Sequence, residues 1–152
     1  TLATFRQGLY LFALDEDENR VKTFAVDRFR HFERERGARF EIPDDYHPSQ
    51  MVHRAFGIIQ GPLRTVVLRF NRWSSPYITE RIWHESQVLE PSEDGGVRLT
   101  MEVGIAHELK SWILGFGPDV VVEGPTELAA EVADLLARAH YAARERAGLA
   151  GE

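Results

Sequence analysis

The stretch VRLTMEV, residues 97–103, alternates apolar and polar side chains without interruption. Successive side chains of a strand point to opposite faces, so alternation over seven residues predicts a strand with one apolar face. Such a face has to be covered by another layer of the same domain or by a partner. The apolar positions are Val97, Leu99, Met101 and Val103. They predict a half-buried sheet as the framework of this part of the chain.

The segments around this strand follow in the order strand, helix, strand, strand, helix, strand. They are predicted at 63–70, from Pro76 to about Arg81, and at 82–90, 97–103, 106–114 and 120–123. This order is that of the ferredoxin-like βαββαβ fold. We therefore expect residues 62–124 to form a four-stranded antiparallel sheet with two helices on one face, in a protein of the α+β class. Trp112 should be largely buried, because it shares a helix face with Leu109 and Ile113.

A long helix is predicted from about Thr126 to Arg146. Its apolar residues recur at helical spacing and form one stripe: Leu128, Val132, Leu135, Leu136 and Ala139. Such a stripe packs on its own domain or on a partner protein, and the sequence leaves both open.

The beginning of the chain predicts a second kind of sheet. The stretch GLYLFALDEDENRVKTFAVDRF, residues 8–29, indicates two strands, 9–14 and 21–29, around an acidic turn. Strand parity places Lys22 and Arg28 on one face unless a bulge intervenes. Two strands alone are marginally stable in water, so this hairpin needs further partners.

The dipeptide Gly61-Pro62 is the predicted domain boundary, because both residues interrupt regular structure. It divides the chain into domains 1–60 and 61–152. A short helix at 49–56 is expected just before it, with Pro48 at its start and Gly57 after its end.

The charge distribution favours one region as an anion contact. The chain as a whole has a net charge of −6, which argues against a surface that coats nucleic acid. From Arg20 to Arg39, however, seven cations stand against three acids. Charge runs are most often solvated faces, so this observation alone does not establish a binding site.

Residue patterns for catalysis or metal binding are missing. The sequence has no cysteine and therefore neither disulfides nor thiolate metal ligands. His107-Glu108 begins like a zinc-binding helix motif, but Ser111 stands where the second histidine would be needed. His53 and His84 also lack co-ligands at suitable spacing. We expect no enzyme, no catalytic residues, no metal and no cofactor, and the lack of a signal peptide or membrane span is typical of a cytoplasmic protein.

Several strings resemble the WYL domain and its C-terminal extension, a ligand-sensing region of many bacterial transcriptional regulators. In the first domain, Leu9-Tyr10-Leu11 stands where the family has Trp-Tyr-Leu, and Lys22-Thr23-Phe24 and Asp27-Arg28-Phe29 match its Arg-x-Phe and Asp-Arg-Ile elements. In the second domain, Tyr77 with ERIWHESQ (80–87) and ELKSWILGFG (108–117) closely resemble the extension.

This resemblance implies a fold, partners and a ligand site. The first domain would be the remnant of a small Sm-like β-barrel, and the second the ferredoxin-like extension with its long helix. Operator DNA would be bound by a helix-turn-helix domain upstream, and the protein would be a homodimer. A cationic surface with Tyr10, Lys22 and Arg28 would bind single-stranded nucleic acid or a nucleotide-like effector. Two departures weaken it: Leu9 replaces the tryptophan, and Ala25 stands where a basic residue is common.

Alternatives remain open for the site and for the function. Tyr10 could be a core residue while Arg28 pairs with Asp15 or Asp17 across the hairpin. The region could also be a structural dimerisation domain without a ligand, or an enzyme subunit, because a ferredoxin-like scaffold does not settle function.

Overall fold

The structure is a computed structural model of the 152-residue chain. It describes residues 1–5, 7–33, 36–37, 39–42, 44, 46–49 and 55–148. Within these residues the chain forms one antiparallel sheet of three strands and one of four, with helices packed on the larger sheet. The α+β class is therefore confirmed.

The first sheet has one strand more than predicted. Its strands, in the order β1-β2-β3, are Leu2–Phe5, Gly8–Asp15 and Arg20–Ala25. Strand β1 has only four residues, too few to show a period of its own, and it forms by pairing with β2 from Leu2↔Leu11 to Phe5↔Gly8. In the described residues the sheet is open rather than a closed barrel, as expected for a partial barrel.

Strand β3 ends earlier than predicted. It stops at Ala25, and Val26–Arg28 form a 3-10 helix instead of the last third of the strand. The expected strand 21–29 is therefore wrong at its end. Because the helical turn interrupts the two-residue period, strand parity no longer places Lys22 and Arg28 on a common face.

The second sheet has the predicted ferredoxin-like topology. Its strands are β4 (Leu63–Phe70), β5 (Val88–Pro91), β6 (Val97–Gly104) and β7 (Val120–Gly124). They are arranged in the order β5-β6-β4-β7 with antiparallel neighbours. The helices are α1 (Ser75–Thr79), α2 (His107–Leu114) and α3 (Thr126–Arg146). The βαββαβ order with a long C-terminal helix is confirmed.

One face of the second sheet forms the core. Its alternating apolar residues are at most 1% exposed: Val66, Leu68, Phe70, Val97, Leu99, Met101 and Val103. Leu109 and Ile113 of α2, and Leu128 and Val132 of α3, pack on this face. The predicted inward residues of β6 are all buried, because a strict two-residue period leaves only one face apolar.

Strand β5 is shorter than the predicted segment 82–90. It begins only at Val88, because the side chain of Gln87 occupies the backbone groups that a strand ladder would use. Gln87 Oε1 accepts hydrogen bonds from the N–H groups of Trp83 and His84 at 2.6 and 3.3 Å, and Nε2 donates to the carbonyl of Arg81 at 3.0 Å. Residues 81–87 are therefore an ordered turn.

Two further helix predictions have different outcomes. Helix α1 ends at Thr79 rather than near Arg81, and Thr79 Oγ1 donates to the carbonyl of Ser75 at 3.0 Å. The predicted helix at 49–56 lies mostly outside the described residues, since 50–54 are not among them. Ala55, at its expected end, forms a β-bridge with Gly104.

Trp112 is half-buried, less than predicted. Its ring lies at the centre of an aromatic cluster at the side of the core, with ring centroids 4.8 Å from Phe56, 4.8 Å from Trp83 and 5.1 Å from Phe116. The indole therefore links α2 to the turn before β5.

Helix α3 packs only through its first half. Leu128 and Val132 are buried, whereas Leu136 is 42% exposed and Ala139 is exposed as well. The predicted apolar stripe thus continues beyond the part of the helix that contacts its own domain.

Candidate functional site

Lys22 on β3 is held by two carboxylates of the hairpin turn. Its Nζ donates to Asp15 Oδ2 at 2.6 Å and lies 2.5 Å from Glu18 Oε1. The hydrogen bonds to Asp15 and then to Glu18 raise the pKa of Lys22 above its ordinary value. The hydrogen bond from Lys22 lowers the pKa of Asp15 and the pKa of Glu18. A phosphate would have to compete with both carboxylates for this ammonium group.

The turn that supplies these carboxylates is built by Asp15 itself. Its Oδ1 accepts hydrogen bonds from the N–H groups of Asp17 and Glu18 at 3.1 and 3.2 Å, as an aspartate does in an Asx turn. Asn19 follows with φ at 49°, a conformation that asparagine tolerates better than most residues. One oxygen of Asp15 therefore shapes the turn while the other binds Lys22.

Tyr10 lies on the opposite face of the same sheet. It pairs with Ala25, whereas Lys22 pairs with Ala13, and an odd separation along β2 places the two side chains on different faces. The tyrosine ring extends over Gly8, where an added Cβ would lie 2.7 Å from Tyr10 Cε2. The ring is half-buried and is partly covered by its own strand.

Arg28 is the exposed cation of the predicted set. It is the last residue of the 3-10 helix after β3. In the described part of the chain, its guanidinium makes neither an ion pair nor a side-chain hydrogen bond. The alternative in which Arg28 pairs with Asp15 or Asp17 is not observed among the described residues, where Asp15 is bound by Lys22.

The three predicted residues therefore do not form one cluster on one sheet face. Sequence reasoning missed Asp15 and Glu18 as partners of Lys22, although Glu18 and Lys22 stand four positions apart across a turn. The ligand site remains a prediction. Among the three residues, Arg28 has the charge that is available to an anion.

A cavity of about 440 Å³ lies beside the hairpin. Its walls are mainly apolar and come from β2, β3, residues 40–42 and Tyr46: Leu11, Phe12, Ala13, Leu14, Val21, Phe40, Ile42 and Tyr46, with Thr1, Glu16 and Glu41. The Oη of Tyr46 is buried without a hydrogen-bond partner among the described residues. Apolar walls with two carboxylates do not favour a phosphate, so the cavity is separate from the predicted nucleic-acid surface.

His84 and His107 have local partners. Nδ1 of His84 lies 2.7 Å from Ser86 Oγ and accepts the N–H of Ser86 at 3.2 Å, and His107 Nε2 lies 3.2 Å from Ser111 Oγ. Across the described ranges, no three His, Asp or Glu side chains are grouped for a metal ion. His53 falls outside those ranges. The expected lack of a metal stays a prediction.

Among the helices that the structure describes, none has the length and apolar character needed to cross a membrane.

A protein family and a solved structure are similar to this chain. A family model described as the WCX domain matches residues 62–140, more than half of the chain. Among solved structures, the chain is similar to the proteasome accessory factor B/C (PafBC) of Arthrobacter aurescens, with 23% sequence identity and a TM-score of 0.38. That similarity covers 82% of this chain and 19% of the other, so this chain spans about a fifth of that protein. Comparison with curated proteins finds no match.

Proposed function

The chain belongs to the WCX domain family, the C-terminal extension of WYL-type regulators, and we propose that it is the effector-sensing and dimerisation region of a bacterial transcriptional regulator. The match to residues 62–140 carries this proposal, and it coincides with the ferredoxin-like sheet. The proposed role is non-enzymatic. In the whole regulator, operator DNA would be bound by a separate helix-turn-helix domain.

We propose that the effector is single-stranded nucleic acid or a nucleotide-like ligand and that Arg28 is its main cationic contact. Three observations support this: Arg28 is exposed, it has no partner in the described part of the chain, and it lies within the positively charged stretch from Arg20 to Arg39. A guanidinium presents a planar fork of donors that matches a phosphate. Lys22 would contribute little, because Asp15 and Glu18 already neutralise it.

Tyr10 would contribute separately from Lys22. Its half-buried ring has a π face that a base could stack on, and stacking of this kind is tolerant of sequence. The tyrosine ring and the lysine ammonium lie on opposite faces of the sheet. A single-stranded nucleic acid that reaches Tyr10 and Arg28 would therefore leave Lys22 out of contact.

Dimerisation is proposed through the second half of α3. Leu136, Ala139 and Ala143 continue the stripe of Leu128 and Val132 at helical spacing but are exposed. A matching helix from a second copy would cover this surface. The result would be a homodimer with one effector surface in each protomer.

A matched pair of arginine variants tests the ligand proposal. A labelled single strand of about 12 nucleotides, a length within the range of single-strand-binding domains, and a panel of nucleotides are titrated into the chain. Arg28→Ala should weaken binding, whereas Arg20→Ala should not, because Arg20 is on the same hairpin but lies 2.6 Å from Glu18. Equal affinity for wild type and Arg28→Ala would refute the proposed site.

A further inference from the structure

One carboxylate on α2 holds the segment that joins the two sheets along the chain. Glu108 Oε2 accepts hydrogen bonds from the consecutive backbone N–H groups of Ile58 and Ile59, both at 2.8 Å. Hydrogen bonds to an ionised acceptor are about twice as strong as neutral ones. We call residues 55–59 the strap.

The strap approaches Glu108 closely at Gly57. Any Cβ at position 57 would overlap the carboxyl group of Glu108, so Gly57 is the residue that lets the backbone approach it. Ala55 forms a parallel bridge with Gly104 at the end of β6, and the ring of Phe56 lies 4.8 Å from that of Trp112. The strap thus contacts the C-terminal domain, although the predicted boundary at residue 61 assigns it to the first domain.

The first sheet contacts the same strap. Thr23 Oγ1 on β3 donates to the carbonyl of Ile58 at 3.3 Å, and Ile58 is only 2% exposed. The backbone of Ile58 is therefore bound from both sides, its carbonyl by β3 and its N–H by α2.

From this arrangement we infer that the strap couples the first sheet to α2, with Glu108 as the positioning residue and Ile58 as the shared contact. Strand β3 leads directly into Arg28, and α2 places Leu109 and Ile113 in the core. A displacement of β3 then moves Ile58, and Glu108 passes the movement to α2. One part of this inference, the identity of the ligand that displaces β3, rests on the proposed function.

Amide hydrogen exchange tests the attachment of the strap. Glu108→Ala should speed exchange of the Ile58 and Ile59 amides about tenfold or more, since both lose a charged acceptor. Gly57→Ala should do the same by displacing the carboxylate, and the double variant should exchange no faster than Glu108→Ala alone. Glu90→Ala, an exposed glutamate on β5, is the control. Unchanged exchange in Glu108→Ala, or additive effects in the double variant, would overturn the attachment.

A second comparison tests the coupling without any ligand. Thr23→Val removes the hydroxyl and keeps the shape of the side chain, with Thr4→Val on β1 as the control. The substitution at Thr23 should change exchange across α2 in the wild-type background and change it clearly less when Glu108 is alanine, since the Phe56–Trp112 contact still joins the strap to α2. Equal changes in both backgrounds, or none in either, would overturn the coupling.

Adding an oligothymidylate strand separates this inference from the proposed function. Binding should change exchange across α2 clearly more in the wild type than in Glu108→Ala. A bound strand that changes α2 equally in both backgrounds would refute the coupling. An oligothymidylate that does not bind would refute the proposed ligand. The Thr23→Val comparison would still show whether β3 and α2 are coupled.

Discussion

Tyr10 and Lys22 lie on opposite faces of one three-stranded sheet, because Tyr10 pairs with Ala25 and Lys22 pairs with Ala13. The backbone of the sheet separates side chains on its two faces, so one ligand strand cannot stack on the ring and contact the ammonium at the same point. The residues that the family resemblance groups together therefore have different environments and different expected effects.

Replacing Lys22 should barely change the affinity for a single strand. Its ammonium is already bound by Asp15 and Glu18, so Lys22→Met removes little charge that a phosphate could use. Tyr10→Ala should lower affinity by about 1–3 kcal/mol if a base stacks on the ring. Anisotropy titrations of both variants check this, and a larger loss for Lys22→Met than for Tyr10→Ala would contradict the assignment.

The contribution of Lys22 to stability should depend on pH. The folded-state pKa values of Asp15 and Glu18 are lowered, so their contribution is present above their ordinary values of about 4 and is lost as pH falls through the lowered values. The folded-state pKa of Lys22 is raised, so its contribution is present below its ordinary value of about 10.4 and is lost as pH rises through the raised value. The network is therefore intact between about pH 5 and 10.

Thermal unfolding measures this effect. Lys22→Met should lower Tm at pH 7, and the difference from wild type should shrink at about pH 2, where the two carboxylates become protonated. A Tm difference that is the same at both pH values would mean that Lys22 acts through packing rather than through its ion pairs.

The aromatic cluster should stabilise the C-terminal domain. Trp112→Ala removes contacts with Phe56, Trp83 and Phe116 and should lower the free energy of unfolding by about 3 kcal/mol, the low end for a large aromatic because Trp112 is only half-buried. Trp73→Ala, at a residue 74% exposed, should change it by less than about 0.5 kcal/mol. Urea unfolding of both variants gives the comparison, and equal losses would contradict a stabilising role for the cluster.

Self-association should depend on Leu136. Light scattering of the wild type should give about twice the 17.3 kDa of one chain, and Leu136→Lys should shift the mass to that of a monomer, because it places a charge in the apolar stripe. Ala130→Lys, on an exposed part of α3 away from the stripe, should leave the dimer intact. A wild-type monomer at high concentration would contradict the dimer.

The strands and helices with a strong period were predictable. Strand β4 at 63–70 and helix α3 at 126–146 match their predicted bounds, because alternation or helical spacing runs through their whole length. Strand β1 and the start of β5 were not predictable. Strand β1 forms because it pairs with β2. Strand β5 does not start earlier because the side chain of Gln87 binds the preceding backbone. Neither cause can be recognised from the pattern of apolar and polar residues within the segment.

The candidate site was only partly predictable for a similar reason. The turn offers four consecutive acidic residues, and only the observed register shows that Asp15 and Glu18 are the partners of Lys22. The contact of Glu108 with Ile58 spans 50 positions and has no local signal. Arg28 was named from its resemblance to a family element, and its exposure became known only with the end of β3 at Ala25.

The salt dependence of single-strand binding shows whether Arg28 contacts a phosphate. The affinity of wild type and Arg28→Ala for one labelled strand is measured over a series of salt concentrations. Each phosphate contact by a cation contributes about −0.7 to the slope of log K against log salt for single strands. We predict a slope flatter by about 0.7 for Arg28→Ala, with weaker binding at low salt. Identical slopes and affinities for the two proteins would show that Arg28 contacts no phosphate and would contradict the proposed effector surface.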